Sequence, residues 1–140
     1  MLSLLLASLL MTAPPSPLAV TGGWARATPP AAENGAGYLT ITNSGAAADR
    51  LVSIETKASK RAEIHTMSMK DGKMTMRALS EGVEVPAGGA VTLAPRGVHV
   101  MFLGLTAPLV AGARVPVTLQ FAKAGAITVE LEVVPIGAER

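Results

Sequence analysis

Past residue 20, every histidine and methionine falls in two short windows. His65, Met67, Met69, Met74 and Met76 occupy the first; His99 and Met101 occupy the second; cysteine is absent throughout. Thioether sulfur and imidazole nitrogen form a soft, neutral ligand set, better matched to Cu(I) than to Zn, Mg or Ca. Copper binding is the chemistry these residues point to first.

The elements around them decide whether they converge. Asp71-Gly72 lies between two strand-like runs, which is a hairpin signal. A two-residue turn there sets Lys70 opposite Lys73, Met69 opposite Met74 and Met67 opposite Met76. Side chains alternate across a strand, so His65, Met67 and Met69 share one face, and Met74 and Met76 share the matching face of the partner. His65 then lies diagonal to Met76, within the ~7–8 Å span of a diagonal cross-strand pair. His99 and Met101 sit at i, i+2 and point the same way, while Val98, Val100 and Phe102 turn toward the core. A single methionine in a β-protein is ordinarily core filler, and His-x-Met alone says little. Here each histidine has a methionine on its own face, and past residue 20 no methionine lies outside these windows. A fold that joins the hairpin to the His-x-Met strand makes a two-His, two-Met site.

The rest of the chain reads as short strands between turns. Residues 38–42, 51–56, 63–69, 74–79, 83–85, 90–93, 98–105, 115–122 and 127–134 are β-branched or alternating. They are punctuated by Asn43-Ser44-Gly45, Pro86-Ala87-Gly88-Gly89, Pro95-Arg96-Gly97 and Ala124-Gly125-Ala126. No stretch of ten residues carries a helical apolar period. The expectation is a single all-β domain, a β-sandwich or Greek-key barrel, over residues 21–140. With aromatics at 3%, its core must be built from Val, Leu, Ile and Ala, with Trp24, Tyr38, Phe102 and Phe121 as the few large fillers.

Residues 1–20 differ. An apolar run over 1–11 is followed by Pro14, Pro15 and Pro17. This is the pattern of a secretory signal peptide, with Pro17-Leu18-Ala19-Val20 as a small-residue end and a run too short to anchor in a bilayer. No Lys or Arg precedes it, so the amino terminus alone supplies the charge or the true start lies upstream. The lack of cysteine suits an oxidising compartment and leaves no residue for a Cys-linked lipid. Net charge is +2 with the basic residues scattered. A nucleic-acid surface wants a basic stripe with stacking aromatics, and neither is present.

With these residues in view, the chain resembles the periplasmic PCu(A)C-type copper chaperones. His65, ten residues, Met76, then His99-Val100-Met101 is similar to their H-x10-M…H-x-M signature. Trp24-Ala25-Arg26-Ala27-Thr28, Gly37-Tyr38-Leu39-Thr40-Ile41, Glu63-Ile64-His65, Pro86-Ala87-Gly88-Gly89 and the run ending Phe102-Leu103-Gly104-Leu105 match as well. The gap from Met76 to His99, residues 77–98, is one residue longer than in the family signature. The resemblance implies a cupredoxin-like fold that binds Cu(I) near its surface through His65, Met76, His99 and Met101. It implies carriage of copper in the periplasm toward the dinuclear copper centre of cytochrome c oxidase, often beside a thioredoxin-like metallochaperone. Met67, Met69 and Met74 map to no ligand position: they are either a sulfur-rich rim that passes copper in or out, or packing. Some family members end in a His/Met-rich extension that holds Cu(II). This sequence ends Pro135-Ile136-Gly137-Ala138-Glu139-Arg140, so a second site of that kind is not expected.

Other functions fit less well. A blue-copper electron carrier needs a Cys thiolate. A hydrolase needs a nucleophile or a His-Glu-x-x-His pattern, and the carboxylates here are scattered, so no enzyme is expected. A copper buffer or tolerance protein would need the same site as a chaperone. A metal-free interaction module would treat His99 and Met101 as packing.

Overall fold

A computed structural model describes residues 16–138. The apolar run at the head of the expected signal peptide lies outside the described residues, as do Glu139 and Arg140. Ten strands follow one another: β1 Leu18–Arg26, β2 Asn34–Asn43, β3 Asp49–Glu55, β4 Ser59–Lys70, β5 Lys73–Ala78, β6 Val83–Val85, β7 Ala90–Leu93, β8 His99–Leu105, β9 Arg114–Phe121 and β10 Gly125–Val134. Among the described residues there is no helix.

The order β4-β8-β2-β1-β10-β9-β3, with β3 returning to pair β4 through Ile54 and Ala62, closes a seven-stranded barrel. All its pairings are antiparallel except β1 with β10, which run parallel. β5 continues the sheet beyond β4, β6 lies on β3, and β7 lies on the far half of β2. Closure leaves the barrel itself without free edges. Alternation then does the sorting: in β9, Val115, Val117, Leu119 and Phe121 turn inward to meet Leu131 and Val133 of β10, Leu39 and Ile41 of β2 and Phe102 of β8. Gly37 is small for a reason. A Cβ there would stand 2.8 Å from Leu131 Cδ1 and 3.1 Å from the Phe102 ring, so its absence lets both fill the barrel centre.

The first strand is the element that the sequence pattern did not show. Leu18–Val20, read as the end of the leader, form the start of β1 and pair with residues 41–43 of β2; Leu18 is 6% exposed. The flanking prolines resemble a processing signal, and Gly22-Gly23 interrupts the alternation. In the structure that interruption is a bulge between Thr21 and Trp24, with Gly22 at φ 63°. Bulges re-aim side chains, and this one sets Trp24 against Tyr38 in a small buried cluster with Val134, apart from the main core.

The other end of β3 is fastened by a buried carboxylate. Asp49 Oδ1 accepts the N–H groups of Arg50 (2.7 Å) and Lys123 (2.9 Å), and Oδ2 accepts that of Ala124 (2.9 Å), tying β3 to the β9–β10 turn. Burial by itself raises the Asp49 pKa. The N–H bonds from Lys123, Arg50 and Ala124, with the Lys123 charge, outweigh it and hold the carboxyl below its usual value. A carboxyl lowered on folding adds stability above its unfolded pKa and loses it as pH falls through the folded value. Asp49→Asn turns an NH2 toward an N–H donor, and it is expected to cost about 1–3 kcal/mol at neutral pH. In urea denaturation the gap between parent and variant should shrink as pH is lowered from about 5 toward 2. A gap independent of pH would mean that charge has no part in this anchor.

Candidate metal centre

The barrel places the two methionine–histidine segments side by side. β4 is long: residues 59–65 pair with β8, and residues 65–70 run on into the hairpin with β5. The hairpin turn is the two-residue one, with Asp71 at φ 53° and Gly72 at φ 75°, as the paired left-handed positions of a type I′ turn require. Its register is Lys70 to Lys73, Met69 to Met74 and Met67 to Met76, as the sequence predicts. On the other side of β4, His65 pairs directly with His99, and Glu63 with Met101. Residues paired across an antiparallel ladder point to one face. Ile64, Val100 and Phe102 take the core face, so the histidines and methionines lie together on the outside of the barrel.

The rings of His65 and His99 are 6.1 Å apart, centroid to centroid, inclined at 55°. Each has one nitrogen committed. His65 Nε2 donates to Glu63 Oε2 at 2.8 Å, which leaves the lone pair on Nδ1. That Nδ1 is buried and has no hydrogen-bond partner, a rare condition for a buried polar atom. His99 Nδ1 donates to the Gly97 carbonyl at 3.0 Å, which leaves the lone pair on Nε2. A carboxylate or carbonyl behind an imidazole fixes its tautomer and raises its basicity, the arrangement found behind metal-ligating histidines. Met67, Met76, His99 and Met101 line a shallow cleft of about 320 Å³ together with Tyr38, Arg26 and Arg96. A larger hollow of about 480 Å³ beside residues 55–58 and Pro116 has no soft ligand in its wall.

His99 is 4% exposed, whereas Met76 is 47% exposed. The site is therefore graded from a fixed inner wall of imidazoles to an open outer side of sulfur. The inner wall continues as a row of rings across four strands: His65, His99, Tyr38 at 6.4 Å and Trp24 at 4.5 Å from Tyr38, with the Arg26 guanidinium 5.7 Å above Trp24. Among the described residues no three His, Cys, Asp or Glu side chains gather as a hard-metal cluster. A metal held here must draw on thioethers, and with neutral ligands and two arginines in the wall, an ion of low charge is favoured.

The structure thus brings all four motif residues, His65, Met76, His99 and Met101, onto one patch, with Met67 beside them. Glu63 is the residue that sequence reasoning left among the scattered carboxylates. Its signal was parity: at i−2 from His65 on a strand, it shares that residue's face. The hydrogen bond from His65 is the main cause holding the Glu63 carboxyl below its usual range, against a smaller effect of burial and with help from the charges of Arg61 and His65.

A family model described as "Putative lipoprotein LpqE-like" matches residues 18–133. The chain belongs to the LpqE-like family. A putative lipoprotein of Leifsonia xyli subsp. xyli (strain CTCB07) is 36% identical over 86 residues, covering 61% of this chain and 52% of its own; the chain spans about half the length of that relative. The apo PCuAC domain of PmoF1 shares the LpqE-like barrel at a TM-score of 0.72 and 28% identity, over 86% of this chain and 95% of that one. Apo-DR1885 of Deinococcus radiodurans does so at 0.67 and 30%, over 91% and 85%. The Cu(I) form of DR1885 matches at 0.64 and 28%, over 89% and 81%. The cupredoxin-like fold and the resemblance to PCu(A)C-type proteins expected from the sequence both hold for this LpqE-like chain.

Proposed function

We propose that this protein is a Cu(I) metallochaperone of the cell envelope, with the periplasm as its compartment, whose ligands are His65, Met76, His99 and Met101. The observation that carries this reading is the His65–His99 pair. Two imidazoles face each other across one ladder, each oriented by a bond on its far nitrogen, with thioethers on the same face. Similarity to PCuAC domains, one of them solved in a Cu(I) form, supports it. The family name and the Leifsonia relative, both described as lipoproteins, support an envelope location.

The ligand set argues for carriage rather than catalysis. Four neutral donors hold Cu(I) less tightly than thiolates would, so a thiolate site downstream can take the ion. The recipient we propose is the dinuclear copper centre of cytochrome c oxidase, with a thioredoxin-like metallochaperone as co-worker. Anaerobic competition against a coloured Cu(I) chelator tests binding: one tight equivalent of Cu(I), with Zn(II) failing to displace it, is expected. Mixing the loaded protein with the apo copper domain of the oxidase tests delivery: the absorption of the thiolate–copper centre should grow. Tight binding without transfer would make the protein a buffer instead.

Glu63 supplies a second check. Glu63→Ala frees the His65 ring, and loss of such an outer partner typically costs 10–100-fold in metal affinity. That loss is expected with the fold intact, since Glu63 is partly exposed and packs no core. An unchanged affinity would remove His65 from the ligand set.

A further inference from the structure

The hairpin carries more sulfur than a two-His, two-Met site uses. Met67 pairs with Met76 and Met69 with Met74, giving two successive rungs of paired thioethers on the face that bears His65. Met69 is 69% exposed, Met74 50% and Met76 47%; side chains that open to solvent are not core filler. The opposite face of the same hairpin carries Thr66, Ser68, Lys70, Lys73, Thr75 and Arg77, so the hairpin's own charged and hydroxyl side chains stay off the thioether face. β5 is exposed along its whole length and pairs only with β4. The Met69–Met74 rung therefore stands clear of the cleft that Met67 and Met76 line.

We infer that Met69 and Met74, with Met67 or Met76 as third ligand, form an outer all-thioether Cu(I) site that loads and unloads the histidine site. The inference rests on the Cu(I) reading above. Cu(I) accepts three soft ligands with little geometric demand. Opposed residues in a rung have Cα atoms about 4.5–5.5 Å apart, and successive rungs on one face are about 7 Å apart. Methionine, unbranched with three rotatable bonds, spans both distances. The Met67–Met76 rung lies between the outer Met69–Met74 rung and the His65–His99 rung, so it can belong to either site in turn. Transfer is then ligand exchange: a Cu–S bond to Met69 or Met74 breaks as a Cu–N bond to His65 or His99 forms. The ion stays Cu(I) throughout and no electron moves. Because thioethers do not titrate, the outer site accepts copper whatever the protonation state of the histidines.

The test uses the full chain, anaerobic Cu(I) and a coloured chelator. In His65→Ala/His99→Ala, a weaker equivalent of Cu(I) should remain, its affinity changing less than about threefold between pH 7.5 and 5. Adding Met69→Leu/Met74→Leu, near-isosteric at exposed positions, should abolish it. With both histidines present, Met69→Leu/Met74→Leu should leave the tight equivalent within about threefold and slow its uptake from the chelator by about tenfold in stopped flow. No residual binding in the histidine-free variant, residual binding untouched by the leucine pair, or an unchanged uptake rate overturns the outer site. Failure of the chaperone reading looks different, since the unaltered chain would then show no tight equivalent at all.

Discussion

Replacing His99 and Met101 together by alanine is expected to lower Cu(I) affinity by at least about 10³-fold. Loss of a partner that merely orients a ligand typically costs 10–100-fold, and this variant deletes two of the four proposed ligands outright, including the buried imidazole. Of the four, only His65 and Met76 remain, so any copper still bound is held by these and the weaker outer thioethers. The fold should survive. Both residues lie on the outer face of β8, while Val100 and Phe102 keep the core side, and the loss of one hydrogen bond to the Gly97 carbonyl is worth roughly 0.5–1.5 kcal/mol. The check pairs chelator competition with a thermal melt. Affinity within tenfold of the parent, in a folded variant, would reduce His99-x-Met101 to packing. Unfolding would call for the milder pair His99→Gln/Met101→Leu, which keeps the volume and removes the ligation.

The second large effect is on pH. A proton and Cu(I) compete for the same imidazole lone pair, so affinity must fall as pH falls, and thioethers contribute nothing to the slope. An ordinary histidine titrates near ~6.5. Two imidazole ligands make the affinity fall steeply between pH 7.5 and 5, with the curve flattening toward neutrality and steepening to two protons per copper in acid. Glu63 does not blur this window. The His65 hydrogen bond holds its carboxyl below the usual range, so the response near neutrality belongs to the rings. A slope of one proton would leave a single histidine on the copper; a flat profile down to pH 4 would exclude both. For a carrier the consequence is direct, since copper is released more readily in an acidified compartment.

Much of the site was legible because β-structure has a short, rigid period. Asp71-Gly72 signals a two-residue turn, and such a turn, which the structure has, fixes which methionine faces which. Period-two alternation puts His65 with Met67 and Met69, and His99 with Met101, whatever the rest of the chain does. Nine of the strands were readable for the same reason. β1 was not, because its glycine bulge breaks the alternation and its start borders a proline-rich segment that reads as a leader. The role of Glu63 was hidden in a different way. Its shared face with His65 follows from parity, but nothing local says that its carboxylate reaches the ring.

Composition and spacing already set which donors are on offer: sulfur and imidazole without thiolate, in two strand-borne pairs of known facing. That the pairs meet follows from the fold alone. β4 and β8 are 28 residues apart at their nearest ends (residues 71–98), and their pairing depends on barrel closure through β3 and on the core side chains of β8, a sum of many small burial terms that no single motif encodes. The tertiary structure also decided the gradient from buried His99 to open Met69. Burial is a property of what packs above a residue, and among the described residues nothing covers the hairpin tip.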